Sequence, residues 1–168
     1  MKRSAAHILI LMLLITALMM SPALTAAYAA EAETGMPAPD FTVKDKDGNA
    51  VTFSDTAGKP VIINIWATWC PPCCRELPYY EQMYQQYGDR ITFMMIDLME
   101  DHSTVDAFLA EHGYTFPVCY DAEGVSISAY KSQYIPVSVF IRADGTIAAK
   151  EIGSIDANRM QSHIDKIL

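Results

Sequence analysis

Three of the four cysteines fall within five residues: Cys70, Cys73 and Cys74, with Cys119 far downstream. Trp69-Cys70-Pro71-Pro72-Cys73 is a C-x-x-C motif, and two thiols at that spacing can cycle between dithiol and disulfide. Exchange needs a thiolate, because the thiol form is a poor nucleophile. A helix N-terminus supplies it: unpaired N–H groups and the positive end of the macrodipole lower the pKa of the first cysteine. Cys70 then attacks, and Cys73, one turn further in, resolves the mixed disulfide. Two other uses of a C-x-x-C are half of a zinc site and a structural bridge. Zinc needs two more ligands from Cys119, His102, His112 and His163, and none of these forms a second pair at zinc-finger spacing. No metal site is therefore expected. A strand before the motif and a helix after it favour redox chemistry over both alternatives.

The elements around the motif supply that context. Val61 to Trp66 is a nearly continuous apolar run, the pattern of a strand buried on both faces. Pro71 to Tyr87 reads as a helix, with Pro71 near its first position, a kink at Pro78 and Gly88 as its stop. Before the motif, Phe41–Val43 and Val51–Phe53 alternate around the turn chemistry of Asp47-Gly48-Asn49, which predicts a hairpin. After it come a buried strand at 91–96 and a helix at 103–112 capped by Ser103. A short strand at 116–119 and a short helix at 124–131 follow. The chain closes with a hairpin of 137–141 and 147–151 and an amphipathic helix at 156–167. Strand–helix–strand followed by hairpin and helix implies a mixed sheet with helices on both faces.

The chain has 168 residues, room for about one domain, and 51% of them are apolar, which excludes intrinsic disorder. Its net charge of -8 argues against nucleic acid and anionic membranes as partners. Lys2 and Arg3 precede an apolar stretch from Ile8 to Met20, a break at Ser21-Pro22, and the small residues of Ala27-Tyr28-Ala29. That pattern predicts a signal peptide over 1–29, with a retained membrane anchor as the alternative, and an exported domain over 30–168. Disulfides are permitted outside the cytoplasm, but a structural framework would spread its cysteines rather than cluster them.

With these pieces in place the chain resembles the TlpA/ResA-like thiol-disulfide oxidoreductases. The resemblance runs from about Gly35 to the C-terminus. It rests on Ala38-Pro39-Asp40-Phe41, Asp47-Gly48, Gly58-Lys59-Pro60, Asn64 to Cys73, Glu76-Leu77-Pro78 and Ile135-Pro136. It implies an α/β, thioredoxin-like fold: a central mixed β-sheet flanked by helices, with an N-terminal β-hairpin extension. It also implies Cys70 as nucleophile, Cys73 as resolving cysteine and no cofactor. Pro136 would be a cis-proline facing the disulfide, Ile135 would offer its backbone to a substrate strand, and Trp69 would belong to the partner surface. Glu100 aligns with an acidic residue that moves protons for the cysteines; the alternative is a solvated loop carboxylate beside Asp101.

Two positions depart from the family. Cys74 stands where Arg or Lys is usual, which removes a cation from beside the thiolate. At four residues from Cys70, Cys74 could also compete with Cys73. Cys119 has no counterpart; it either pairs with Cys74 or is a buried free thiol. The resemblance implies a reductant of protein disulfides, with apocytochrome c as one substrate and a membrane thiol donor as electron source. Two alternatives remain open: a disulfide oxidant, and a copper-delivery module using the soft ligands Cys70 and Cys74. A thiol peroxidase is disfavoured, because Ile63 and Ala67 stand where its Pro and Thr belong. Trp66, Met94 and Met95 are expected in the core.

Overall fold

The computed structural model describes residues 32–168. The leader expected over 1–29 lies outside the described residues. Among the described residues no helix is long and apolar enough to cross a membrane.

Seven strands form one sheet: β1 (Thr42–Lys44), β2 (Ala50–Thr52), β3 (Val61–Trp66), β4 (Thr92–Leu98), β5 (Val118–Asp121), β6 (Val137–Ile141) and β7 (Ile147–Ile152). Their spatial order is β2-β1-β5-β4-β3-β6-β7. β3, β4 and β5 run parallel, and the remaining pairings are antiparallel. The N-terminal hairpin β1–β2 thus extends the sheet beyond β5, and the C-terminal hairpin β6–β7 extends it on the other side. Four helices flank it: α1 (Pro71–Tyr87), α2 (His102–His112), α3 (Val125–Ala129) and α4 (Ala157–Ile164).

β3 lies inside the sheet, and both of its faces are buried. Ile62 and Trp66 pack against Leu77, Tyr80 and Met83 of α1 and Met160 of α4. Val61, Ile63 and Ile65 point the opposite way, toward Phe41, Phe53 and Tyr130. Burial on both sides matches the continuous apolar run. Three helices cover the first face, where Val105 of α2 also packs; α3 and the N-terminal segment cover the second. Met94 and Met95 are both buried, one on each face.

The boundaries of α1 agree with those expected from its sequence. Pro71 and Pro72 occupy the first two helical positions, where no N–H is needed. Pro78 lies inside, and it forgoes the bond that an N–H there would make to the carbonyl of Cys74. α2 differs from expectation. Its N-cap is Asp101, and Ser103 lies within the first turn. Its end at Gly113 is left-handed (φ 70°), a conformation glycine adopts without a Cβ penalty.

Candidate functional site

The site is built where β3 hands over to α1. Cys70 is the N-cap of α1, and its extended backbone turns the chain into the helix. Cys70 and Cys73 are joined, with S–S 2.09 Å and Cα–Cα 5.3 Å. The backbone N–H of Cys73 donates to Cys70 Sγ at 3.3 Å. That is the cap bond of the helix. Cys70 is 3% exposed and Cys73 is fully buried. An incoming group therefore meets Cys70 first.

The loop between α3 and β6 closes the site from the opposite side. The Ile135–Pro136 peptide bond is cis, and the Ile135 carbonyl oxygen lies 3.9 Å from Cys70 Sγ. Pro136 is buried, whereas Tyr134 is 71% exposed. Trp69, beside Cys70, is 64% exposed. Two large aromatic side chains thus stand in water on the two segments that meet at the sulfur, although aromatic rings favour burial. Trp66, by contrast, is fully buried in the core.

Glu100 comes to the site, but not to a sulfur. Its Oε2 accepts from the Thr68 N–H at 2.6 Å, and its Oε1 accepts from the Thr68 hydroxyl at 2.5 Å. Its own N–H donates to Asp97 Oδ1 at 3.3 Å. Asp97 is buried at the end of β4. Burial and the neighbouring Glu100 push its carboxyl far above the usual carboxylate range. The alternative of a solvated Glu100 therefore does not describe this loop.

Neither extra cysteine joins the disulfide. Cys74 is a free thiol that donates to the Thr68 carbonyl at 3.2 Å. Desolvation, with Glu100 nearby, raises its pKa. Cys119 is a buried free thiol on the opposite face of the sheet, packed with Ile96 and Met94. Burial pushes its pKa up to about 11. The sheet separates the two.

One residue at the site was missed as a functional group. Glu76, in the Glu76-Leu77-Pro78 motif, is fully buried. Its Oε1 accepts from Asn64 Nδ2 at 2.8 Å and its Oε2 from the Ile155 N–H at 2.9 Å. Asn64 Nδ2 also donates to Ser138 Oγ, which accepts from the Tyr80 hydroxyl at 2.7 Å. Burial raises the Glu76 pKa to about 7 against these stabilising bonds. A signal was present: Cys73, Glu76, Leu77 and Tyr80 recur at helical spacing on the buried face of α1. An acid in that series is a buried acid.

The redoxin family model matches residues 33–168. The chain belongs to the redoxin family. Among curated redoxin-like relatives, the thiol-disulfide oxidoreductase ResA of Oceanobacillus iheyensis is 34% identical over 138 residues, 79% of this chain and 72% of the relative. A thiol:disulfide interchange protein of Chlorobium tepidum superposes with TM-score 0.68 at 27% identity, covering 80% of this chain and 96% of that one. A secreted Mycobacterium tuberculosis disulfide oxidoreductase, homologous to E. coli DsbE, gives TM-score 0.67 at 26% identity, covering 74% and 94%. With a C-x-x-C disulfide on this fold, the redoxin described here is a protein thiol-disulfide oxidoreductase. Its sheet of seven strands flanked by helices is thioredoxin-like.

Proposed function

We propose that the protein is an exported reductant of protein disulfides, with Cys70 as nucleophile and Cys73 as resolving cysteine. The observation that carries this reading is the polarity of the pair. Cys70 has the slight exposure and the Cys73 N–H donor, while Cys73 is sealed. The Cys70 thiolate attacks one sulfur of the substrate disulfide, and the other substrate sulfur leaves as a thiolate and takes up a proton. Cys73 then loses its proton and attacks the Cys70 sulfur of the mixed disulfide. The second substrate thiol departs, leaving the Cys70–Cys73 disulfide. Two electrons and two protons pass to the substrate.

To Glu76 we assign the handling of the Cys73 proton. It lies one helical turn beyond Cys73, and its pKa near 7 suits a group that both takes and returns a proton at neutral pH. Trp69 and Tyr134 form the contact surface for the partner, and the Ile135 backbone beside cis-Pro136 pairs with an extended substrate segment. Export is supported by the leader pattern at 1–29 and by the secreted character of the Mycobacterium protein. An oxidising compartment then requires a membrane thiol donor to return the pair to its dithiol. Apocytochrome c, with its paired haem-attachment cysteines, is a substrate of suitable chemistry.

The test is a redox titration with alkylation and intact mass at each point. A potential near about -270 mV with two oxidisable thiols supports a reductant; one near about -120 mV makes the protein an oxidant. Cys70→Ala should abolish mixed-disulfide formation and Cys73→Ala should trap it. Trapping by both variants, or by neither, overturns the assigned roles.

A further inference from the structure

The residue before Trp69 is held more completely than its place in a loop requires. Every polar group of Thr68 has a partner. The N–H and the hydroxyl donate to the two oxygens of Glu100, at 2.6 and 2.5 Å. The carbonyl accepts the Cys74 thiol at 3.2 Å. Glu100 reaches across 32 residues of sequence to make this contact, from a loop that leaves β4 through Met99 with a left-handed φ of 62°. Such a conformation is uncommon for a residue other than glycine. Behind Glu100, Asp97 Oδ1 accepts the Glu100 N–H, while Asp97 Oδ2 is buried without a partner among the described residues. Asp97 stands in register between Trp66 on β3 and Tyr120 on β5, so the support is anchored in three strands.

Thr68 precedes Cys70 by two residues, and the turn there is closed by the Cys70 N–H donating to the Ala67 carbonyl at 3.2 Å. A grip on Thr68 therefore sets where Trp69 and Cys70 stand. The Cys74 thiol, which donates to the Thr68 carbonyl, is turned to the loop rather than to the disulfide.

Resting on the reading of Cys70 as nucleophile, we propose that Glu100 is a positioning residue for Cys70, acting through Thr68, and does not itself exchange a proton with either active-site sulfur. Asp97 supports it from β4, and Cys74 completes the grip as a thiol that stays outside the exchange. The neutral form that burial favours at Asp97 lets the two adjoining carboxyl groups avoid carrying two buried charges.

The experiment uses the full chain, reduced, with hydroxyethyl disulfide as oxidant and iodoacetamide as thiol probe. Rates of exchange, the pH midpoint of Cys70 alkylation and the reduction potential are measured for Glu100→Gln, Thr68→Val, Thr68→Ser and the double variant Thr68→Val/Glu100→Gln. Thr68→Val keeps the shape and removes only the hydroxyl. Glu100→Gln and Thr68→Val should each slow exchange about tenfold, the worth of one charge-assisted hydrogen bond. Thr68→Ser should restore the rate to within about twofold of wild type, and the double variant should be no slower than either single variant, because both remove one contact. Glu100→Gln removes a charge and can move the alkylation midpoint, so the deciding readout is the plateau above it, where Cys70 is fully ionised: both single variants should stay slow there. A Glu100→Gln plateau equal to that of wild type would make Glu100 act through charge or proton transfer and overturn the proposal, as would additive losses or unchanged rates in both single variants. Wild-type protein that fails to exchange with hydroxyethyl disulfide would instead overturn the oxidoreductase reading beneath it.

Discussion

Two glutamates stand near the redox pair in different surroundings, Glu76 within α1 and Glu100 on the loop after β4. Glu76 is sealed between α1 and the sheet, where Asn64 and the Ile155 N–H hold its oxygens. Glu100 is half-buried at the loop and holds Thr68. In the first case burial dominates, and the carboxyl keeps its proton until pH reaches about 7. In the second, the carboxyl serves as a double acceptor, and burial is carried by the neighbouring Asp97 instead. A carboxyl near a redox-active pair is therefore not by its type a proton carrier. Its donors and its burial decide whether it moves a proton or holds a loop.

The contrast is broken most severely by truncation. Glu76→Ala strands the Asn64 amide and the Ile155 N–H inside the fold, and should cost about 4 kcal/mol in urea unfolding of the oxidised protein. Glu100→Ala, at a half-exposed position, should cost clearly less in the same assay. Equal losses would mean that the two sites are one structural network.

The second effect is a pH dependence with a fixed sign. The folded pKa of Glu76, about 7, lies above its ordinary value of 4.5, so the folded state binds the extra proton. The stability it contributes is full below about pH 4.5 and is lost as pH rises toward 7, an amount of about 3 kcal/mol. Glu76→Gln should flatten that slope, read as the urea midpoint across the window. A slope unchanged in Glu76→Gln assigns the pH dependence elsewhere.

Smaller changes sharpen the comparison. Tyr80→Phe removes the donor to Ser138 and leaves the Glu76 bonds in place, so stability should fall by about 1.5 kcal/mol. Cys119→Ala, on the far face of the sheet, should cost about 1 kcal/mol and leave the thiol-exchange rate unchanged. A changed exchange rate would show that Cys119 reaches the redox pair.

How much of this was legible in the sequence varied with the range of the contacts. β3 and α1 were, because each declares itself locally: one by an unbroken apolar run, the other by prolines at its start and glycine at its end. β4 starts one residue after the expected 91–96 and ends two residues beyond it. Asp97 and Leu98 extend the strand, and a buried acid breaks the pattern used to find strand ends. The N-cap of α2 is Asp101 rather than Ser103, a choice residue type leaves open because both are equally good caps. Glu76 was visible as an acid on an apolar helical face but was absorbed into a motif. The grip of Glu100 on Thr68 is beyond the reach of sequence, because a contact between the loops that follow β3 and β4 depends on how those strands lie side by side.

The central claim is the division of labour between the two glutamates. It is tested most directly by pH titration of the reduced dithiol in Glu76→Gln and Glu100→Gln, with Cys70 followed by iodoacetamide alkylation and the sealed Cys73 by the NMR shift of its Cβ. Glu76→Gln should move the Cys73 titration, whereas Glu100→Gln should lower the Cys70 rate on the plateau where that thiol is fully ionised. A Cys73 titration unmoved in Glu76→Gln together with an unchanged Cys70 plateau in Glu100→Gln would contradict it.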